Sequence, residues 1–332
     1  MDTERTFTPT QERFISIHRA RKRVRFKPLM PLQAPDLSGM TDLHLHCSVG
    51  YQNDALETVK FASQCRMRAV LMKTYNQMKD PYTGRAVKAL QTQLNEWCAT
   101  QGITPTIVKA GYIYYHAPKE PDLKLLRTNL EEGVHSVWLP FANALRSYMV
   151  IGPQPDSKPL SREEGLAKGG LIIIDDNGEL KPEFRGAIEL IAEFNGALHF
   201  GHRFLEEIIA AARYGQKCGI KRMVVDHPFN PFIDLTHTSM RTLTPFGVKF
   251  NFTYNEISPV GGVDPKDIVD TIHEIGPEHF TLSSDAGDYL FPNSVECVRI
   301  LHETLYCYGL TDDELKICGS KNGSFILGID AA

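Results

Sequence analysis

From Thr41 onward, short apolar runs alternate with longer stretches in which apolar residues recur every three to four positions, which predicts βαβ units and a parallel sheet. Eight runs read as strands: 41–46 (TDLHLH), 68–73 (RAVLMK), 105–114 (PTIVKAGYIY), 135–139 (HSVWL), 197–202 (ALHFGH), 221–227 (KRMVVDH), 247–253 (GVKFNFT) and 279–285 (HFTLSSD). Helices are expected between most of them, over 53–65, 85–101, 183–194, 204–218, 264–275 and 294–309. Asp264-Pro265 and Thr311-Asp312-Asp313-Glu314 have the capping side chains or the proline of helix starts. Eight strands with interleaved helices suit a closed (β/α)8 TIM barrel better than an open doubly wound sheet, and no G-x-G-x-x-G follows the first strand. The rhythm breaks over 141–182, which holds Gly152-Pro153, Pro155, Gly169-Gly170 and then LIIIDDNGELKP, with a hairpin turn expected at Asp176-Asn177-Gly178. This reads as a small insertion between strands 4 and 5. The chain is then a single barrel domain over 41–332 behind an N-terminal extension over 1–40.

The strongest local chemistry is Asp42-Leu43-His44-Leu45-His46. Alternate side chains of a strand share a face, so His44 and His46 should point inward while Leu43 and Leu45 pack outward. Two imidazoles one pleat apart at a strand end make a pair of ligands for a divalent metal; otherwise, burying them would be costly. His202 closes ALHFGH, His227 closes RMVVDHP and Asp285 closes TLSSDAG, each just before a Pro, a Gly or a helix start. Those positions lie at the C-terminal mouth, where barrel active sites form. His199, three residues before His202, should point to the opposite face.

This ordered set resembles the amidohydrolase superfamily, whose members carry H-x-H on strand 1, histidines on strands 5 and 6 and an aspartate on strand 8. The resemblance covers roughly residues 40–328. The segment LIIIDDNGELKPEFRGAIELIAEFNGALHFGH looks like one uncharacterised branch of metal-dependent hydrolase-like proteins. It implies that His44, His46, His202, His227 and Asp285 hold one or two divalent ions, zinc first, with manganese or iron as alternatives. It further implies that Asp285 and His227 carry catalysis, Asp285 moving a proton between water and the leaving group as a C–N or C–O bond of an amide, cyclic amide, lactone or ester is cleaved. One departure stands out. Strand 4 (HSVWL) offers neither the lysine nor the glutamate that usually bridges two metals in that superfamily, whereas Lys73 closes strand 2. A lysine beside metal cations and out of water has its pKa lowered, which favours reaction with CO2, so a carboxylated Lys73 is a candidate bridging ligand. The alternatives for Lys73 are a salt bridge or a substrate anion. Substrate contacts are expected from Arg85, His116, Arg146, Asn251 and Tyr254, with Asn255 beside them; an arginine at the mouth suits a carboxylate or phosphate.

Three other readings stay open. A similar site decarboxylates or hydrates; DLHLHCS also looks like the first motif of the polymerase-and-histidinol-phosphatase phosphoesterases, although DAG stands where that family closes on D-x-H; and a barrel can keep metal without catalysis. Composition narrows the field little further. A net charge of −4 and a pI near 6.3 give no reason to expect nucleic acid as a partner. The basic run Arg19, Arg21, Lys22, Arg23, Arg25 and Lys27 reads as a solvated arm, one that suits a homo-oligomer. Seven scattered cysteines argue against a disulfide framework, and no apolar run suits a signal peptide or a membrane span. A cytoplasmic enzyme acting on a small molecule is the expectation.

Overall fold

The computed structural model describes residues 36–46, 54–73, 83–114, 121–153, 158–287 and 291–329. All eight expected strands form: β1 (Thr41–His46), β2 (Ala69–Lys73), β3 (Ile107–Ile113), β4 (Val134–Trp138), β5 (Ala197–His199), β6 (Arg222–Asp226), β7 (Val248–Thr253) and β8 (Phe280–Ser283). They pair in parallel in sequence order as one eight-stranded sheet. Closure comes from a parallel bridge between Leu45 and Ala286, with His46 N donating to Ala286 O (2.9 Å) and Asp285 N donating to His44 O (2.8 Å). The seam that closes the barrel therefore runs between the two segments that carry the H-x-H motif and Asp285.

Helices fill the connections. They are α1 (Ala55–Gln64), α2 (Thr83–Gln101), α3 (Leu123–Glu131), α4 (Leu145–Ile151), α5 (Arg162–Ala167), α6 (Pro182–Glu193), α7 (Leu205–Lys217), α8 (His237–Leu243), α9 (Tyr254–Ile257), α10 (Pro265–Ile275), α11 (Ser294–Tyr308), α12 (Asp312–Lys316) and α13 (Asn322–Ile326). Asp264 caps α10 with Pro265 in its first turn, and Thr311 and Glu314 form a reciprocal cap on α12. Neither α3 nor α8 stood out in the sequence. The region between β4 and β5 is an insertion as expected: Ala144 bridges Leu171, and a short antiparallel bridge pairs Ile174 with Leu180 around Asp175–Gly178.

Two apolar layers result. Val70, Met72, Val108, Val137, Leu198, Val225 and Phe250 face outward and pack with the helices. The lumen holds Leu43, Ala69, Leu71, Ile113, Trp138, Ala197 and Val224, closed from below by Ile326 and Leu327 at the end of α13. Each such aliphatic side chain fully withdrawn from water contributes about 1.5–3 kcal/mol.

Leu43 corrects the simple alternation. It packs inside the lumen, not outward, and yet both histidines of the motif also face inward. The β1–β2 register shifts between Asp42 and Leu45, a bulge that re-aims the side chains beyond it. Asp42 is turned to the seam, where it accepts from His44 N (3.0 Å), Ser284 N (3.1 Å) and Ser284 Oγ (2.5 Å).

Candidate metal centre

At the C-terminal end of the barrel, His44 Nε2 and His46 Nε2 both lie 3.1 Å from the same oxygen, Asp285 Oδ1. All three residues are buried. The backbone at the ends of β6 and β8 is turned to reach this point: His227 (φ 38°) and Asp285 (φ 47°) adopt the left-handed conformation that costs a non-glycine residue roughly 1–3 kcal/mol. Gly287 completes the turn, because a Cβ there would collide with the carbonyl oxygen of His46. Such strain persists only where surrounding contacts over-determine it, and here His227 N and Asp285 N are tied to Asn251 O and His44 O (each 2.8 Å).

The electrostatics suit ligation. Burial pushes the His46 imidazole down to about 3, against its hydrogen bond to Asp285, so it stays neutral. Burial alone would raise Asp285, but His44, His46 and His227 hold its carboxyl far below the usual range, so it stays ionised. Donor atoms on a tetrahedral ion with bonds near 2.0–2.1 Å sit about 3.3 Å apart, close to the separations found here. Three lone-pair-bearing atoms packed this closely are stable together only around a proton or a cation, so the residues present fit a divalent ion.

Lys73, at the end of β2, is buried with Nζ 3.0 Å from His44 Nε2 and over the rings of Trp138 (5.0 Å) and Phe141 (4.5 Å). Burial lowers it to about 8, with Asp226 and Asp285 opposing. His202 and His227 stand on the rim with ring centres 5.2 Å apart, His227 being 5.8 Å from His44. They lie outside the tight three-residue group. Ser147 Oγ donates to Phe141 O (2.5 Å), so it accepts from His202 Nδ1 at 2.7 Å, which leaves the lone pair of His202 on Nε2. Phe232 stacks on the His202 ring at 4.2 Å.

The expected substrate contacts fare less well. Arg85 pairs with Glu132 (2.8 Å), two residues before β4 begins, and so stands at the end of the barrel opposite the mouth. Arg146 is near the rim, but its guanidinium is engaged by Pro231 O (2.9 Å) and Asp234 (3.0 Å), where it braces the loop after β6. Asn251 lies fully buried beneath the cluster, bound to Asp226, Thr281 and Ser283, and is shut off from substrate. Tyr254 begins α9 and meets Phe291 edge-on at 6.0 Å. Its neighbour Asn255 donates to Asp285 Oδ2 (3.1 Å) and fixes that carboxylate. His116 lies outside the described residues.

Two participants were missed. Asp226 precedes His227 and shares a face with lumen residue Val224; its carboxylate receives Trp138 Nε1 (2.8 Å), His199 Nδ1 (2.9 Å) and Asn251 Nδ2 (2.8 Å) and faces His44 Nδ1 at 3.2 Å. His199 is therefore inside the barrel under the site, not turned away from it, because β5 ends at His199 and the chain swings out through Gly201 before His202. The alternation Val224, Asp226 was the available signal, masked by the histidine that follows.

Solved structures share this eight-stranded parallel barrel. The chain is similar to a protein described as the probable dipeptidase PvdM from Pseudomonas aeruginosa, with 10% identity and a TM-score of 0.56 over 97% of this chain and 98% of that one. It is similar to an amidohydrolase from Pseudomonas aeruginosa, with 12% identity and a TM-score of 0.56 over 90% and 98%. It is also similar to N-acetyl-D-glucosamine-6-phosphate deacetylase from Mycobacterium smegmatis, with 16% identity and a TM-score of 0.51 over 89% and 77%. At these identities the likeness establishes the fold. Residues 39–251 match a family model described as a family of unknown function, DUF6282, and the chain belongs to that family. No curated protein matches the sequence.

Proposed function

We propose that this protein is a metal-dependent hydrolase that cleaves a C–N or C–O bond of a small molecule, such as an amide, cyclic amide, lactone or ester. The observation that carries the reading is the convergence of His44 Nε2, His46 Nε2 and Asp285 Oδ1 at the mouth of the barrel. A divalent ion held there supplies the acidity that lets water lose a proton near neutral pH and the polarisation that activates a carbonyl. His44, His46 and Asp285 hold it, with His202 and His227 as further ligands from the rim. Asp285, its second oxygen anchored by Asn255, takes the proton from the attacking water and passes it to the leaving group. His227 lies beside that path and steadies the substrate oxygen, and Phe141 and Phe232 limit water at the rim. Lys73 has the position and lowered basicity that favour a carbamate, which would bring a further carboxylate to a second ion. Zinc suits the imidazole-rich set, with manganese or iron as substitutes. A cytoplasmic setting and a homo-oligomer belong to the same reading; no described helix is long and apolar enough to cross a membrane.

The test is metal analysis of the purified protein followed by a panel of amides, lactones, esters and phosphoesters with and without chelator. Chelator-sensitive cleavage of a carboxylic derivative supports the proposal. Phosphate release would move the assignment to phosphoester chemistry, and a full metal load without any turnover would leave a non-catalytic barrel.

A further inference from the structure

Beneath the three converging ligands lies a carboxylate that the reaction does not touch. Asp226, on β6, is buried in the lumen and tied to other strands on every side: Trp138 on β4 and His199 on β5 donate to Oδ2, and Asn251 on β7 donates to Oδ1. These partners are themselves fixed. Trp138 and His199 stack with ring centres 4.0 Å apart, and Gly111 on β3 leaves room for the indole that no Cβ would allow. The amide of Asn251 has one orientation, because its oxygen accepts from Thr281 Oγ1 (2.9 Å) and Ser283 Oγ (2.7 Å), which commits its nitrogen to Asp226. Burial opposes ionisation of Asp226, but His199 and His44 hold its carboxyl well below the usual range.

The one ligand that this pinned carboxylate faces is His44, whose Nδ1 is 3.2 Å from Oδ1. A carboxylate only accepts, so it selects the imidazole tautomer with the proton on Nδ1. The opposite ring nitrogen has Lys73 Nζ at 3.0 Å, a donor that needs a lone pair on Nε2. Lys73 asks for the same tautomer as Asp226, whereas Asp285 Oδ1, 3.1 Å from the same Nε2, asks for the other in the metal-free protein, so the fixed carboxylate of Asp226 is what tips the balance. We propose that Asp226 is a positioning residue that holds His44 with its proton on Nδ1 and its Nε2 lone pair aimed at the ion site. The consequence for metal affinity rests on the metal reading above, whereas the tautomer does not. Partners of this kind, which orient a ligand through its far nitrogen, typically change metal affinity by about 10–100-fold when removed.

The experiment uses the full chain labelled with 15N-histidine, with His44 assigned by its loss in His44→Gln. Long-range 1H–15N spectra of metal-free wild type at pH 8 should show a proton on Nδ1 of His44 and none on Nε2; a proton on Nε2 would overturn the proposal whether or not the protein binds metal. Zinc affinity is then measured by competition with a chromogenic chelator. Asp226→Asn should bind zinc about 10–100-fold more weakly, whereas Trp138→Phe, which leaves Asp226 facing His44, should lose no more than about threefold. Equal losses in the two variants would make the network a brace of the fold and nothing more, and undiminished affinity in Asp226→Asn would likewise defeat the idea. Should Asp226→Asn fail to fold, as judged by its thermal melt, the wild-type tautomer decides. A wild type that binds no zinc would remove the metal reading and leave that spectrum to judge Asp226 alone.

Discussion

Both ends of this barrel bury histidines, and they bury them in different company. At the mouth, His44 and His46 share Asp285, and His44 and His199 share Asp226. Towards the floor, His135 on β4 meets a neutral partner, Ile326 O, at 2.8 Å, and burial lowers it to about 4. His302 on α11 packs against Gly319, and burial alone brings it to about 4. All five rings are wholly or largely shielded from water. The difference is that the mouth histidines are gathered around ionised carboxylates, which hold the ring in one orientation and make a cation welcome, whereas the floor histidines face backbone and apolar atoms and serve packing. A buried histidine becomes a ligand candidate through its acidic neighbours, not through burial.

Variants at the two ends should therefore separate cleanly. The largest effect belongs to Asp285→Asn, which keeps the shape of the side chain but not its ability to take a proton. Its turnover should fall by about 10²–10⁴-fold on any substrate found in the panel, with the thermal melt little changed. A rate near wild type would remove Asp285 from the proton-transfer role. Next comes His44→Ala, which should abolish stoichiometric metal in elemental analysis, while His302→Leu at the floor should retain it. Equal metal content in the two variants would erase the distinction between the ends.

The ends also differed in how well they could be foreseen. Strand positions followed from the apolar runs because a lumen and a helix layer impose alternation on every strand, and the convergence of His44, His46 and Asp285 at the mouth followed from their place at strand ends. What escaped were features set by non-local geometry. Leu43 sits inward because a bulge interrupts β1, and no residue type announces a bulge there. Asp226 reads as one more polar residue at a strand end until the fold brings Trp138, His199 and Asn251 around it. Arg85 looked like a mouth residue from its place just after β2, yet it pairs with Glu132 beside the start of β4 at the other end of the barrel. Local sequence carries period and caps; it does not carry which strands meet across a lumen.

The floor histidines give the third test, through pH. His302 is held near 4 in the folded protein and titrates near 6.5 when unfolded, so the unfolded state binds the extra proton between those values. Stability should be complete above pH 6.5 and be lost as pH falls toward 4, by up to about 3 kcal/mol from this one group. Urea unfolding of metal-free protein across that window should show the loss, and His302→Leu should reduce it by about 3 kcal/mol, leaving the share carried by His135 and His46. An unchanged slope would mean that the imidazole is already protonated, or already hydrated, in the native state.

The smallest effect tests the layer that joins the two ends. A methyl group at Gly111 would collide with the six-membered ring of Trp138, which belongs to the packed lumen, and stand 3.0 Å from Met72 O in the backbone of β2. Crowding of this kind costs about 1–3 kcal/mol, so Gly111→Ala should lower the urea midpoint without changing its slope. Because the displaced indole also carries the hydrogen bond to Asp226, the variant should lose a little zinc affinity together with its stability. A comparable loss of stability with untouched affinity would mean that the lumen can absorb the strain below Trp138, and that the mouth is mechanically more independent of the floor than the shared side chains imply.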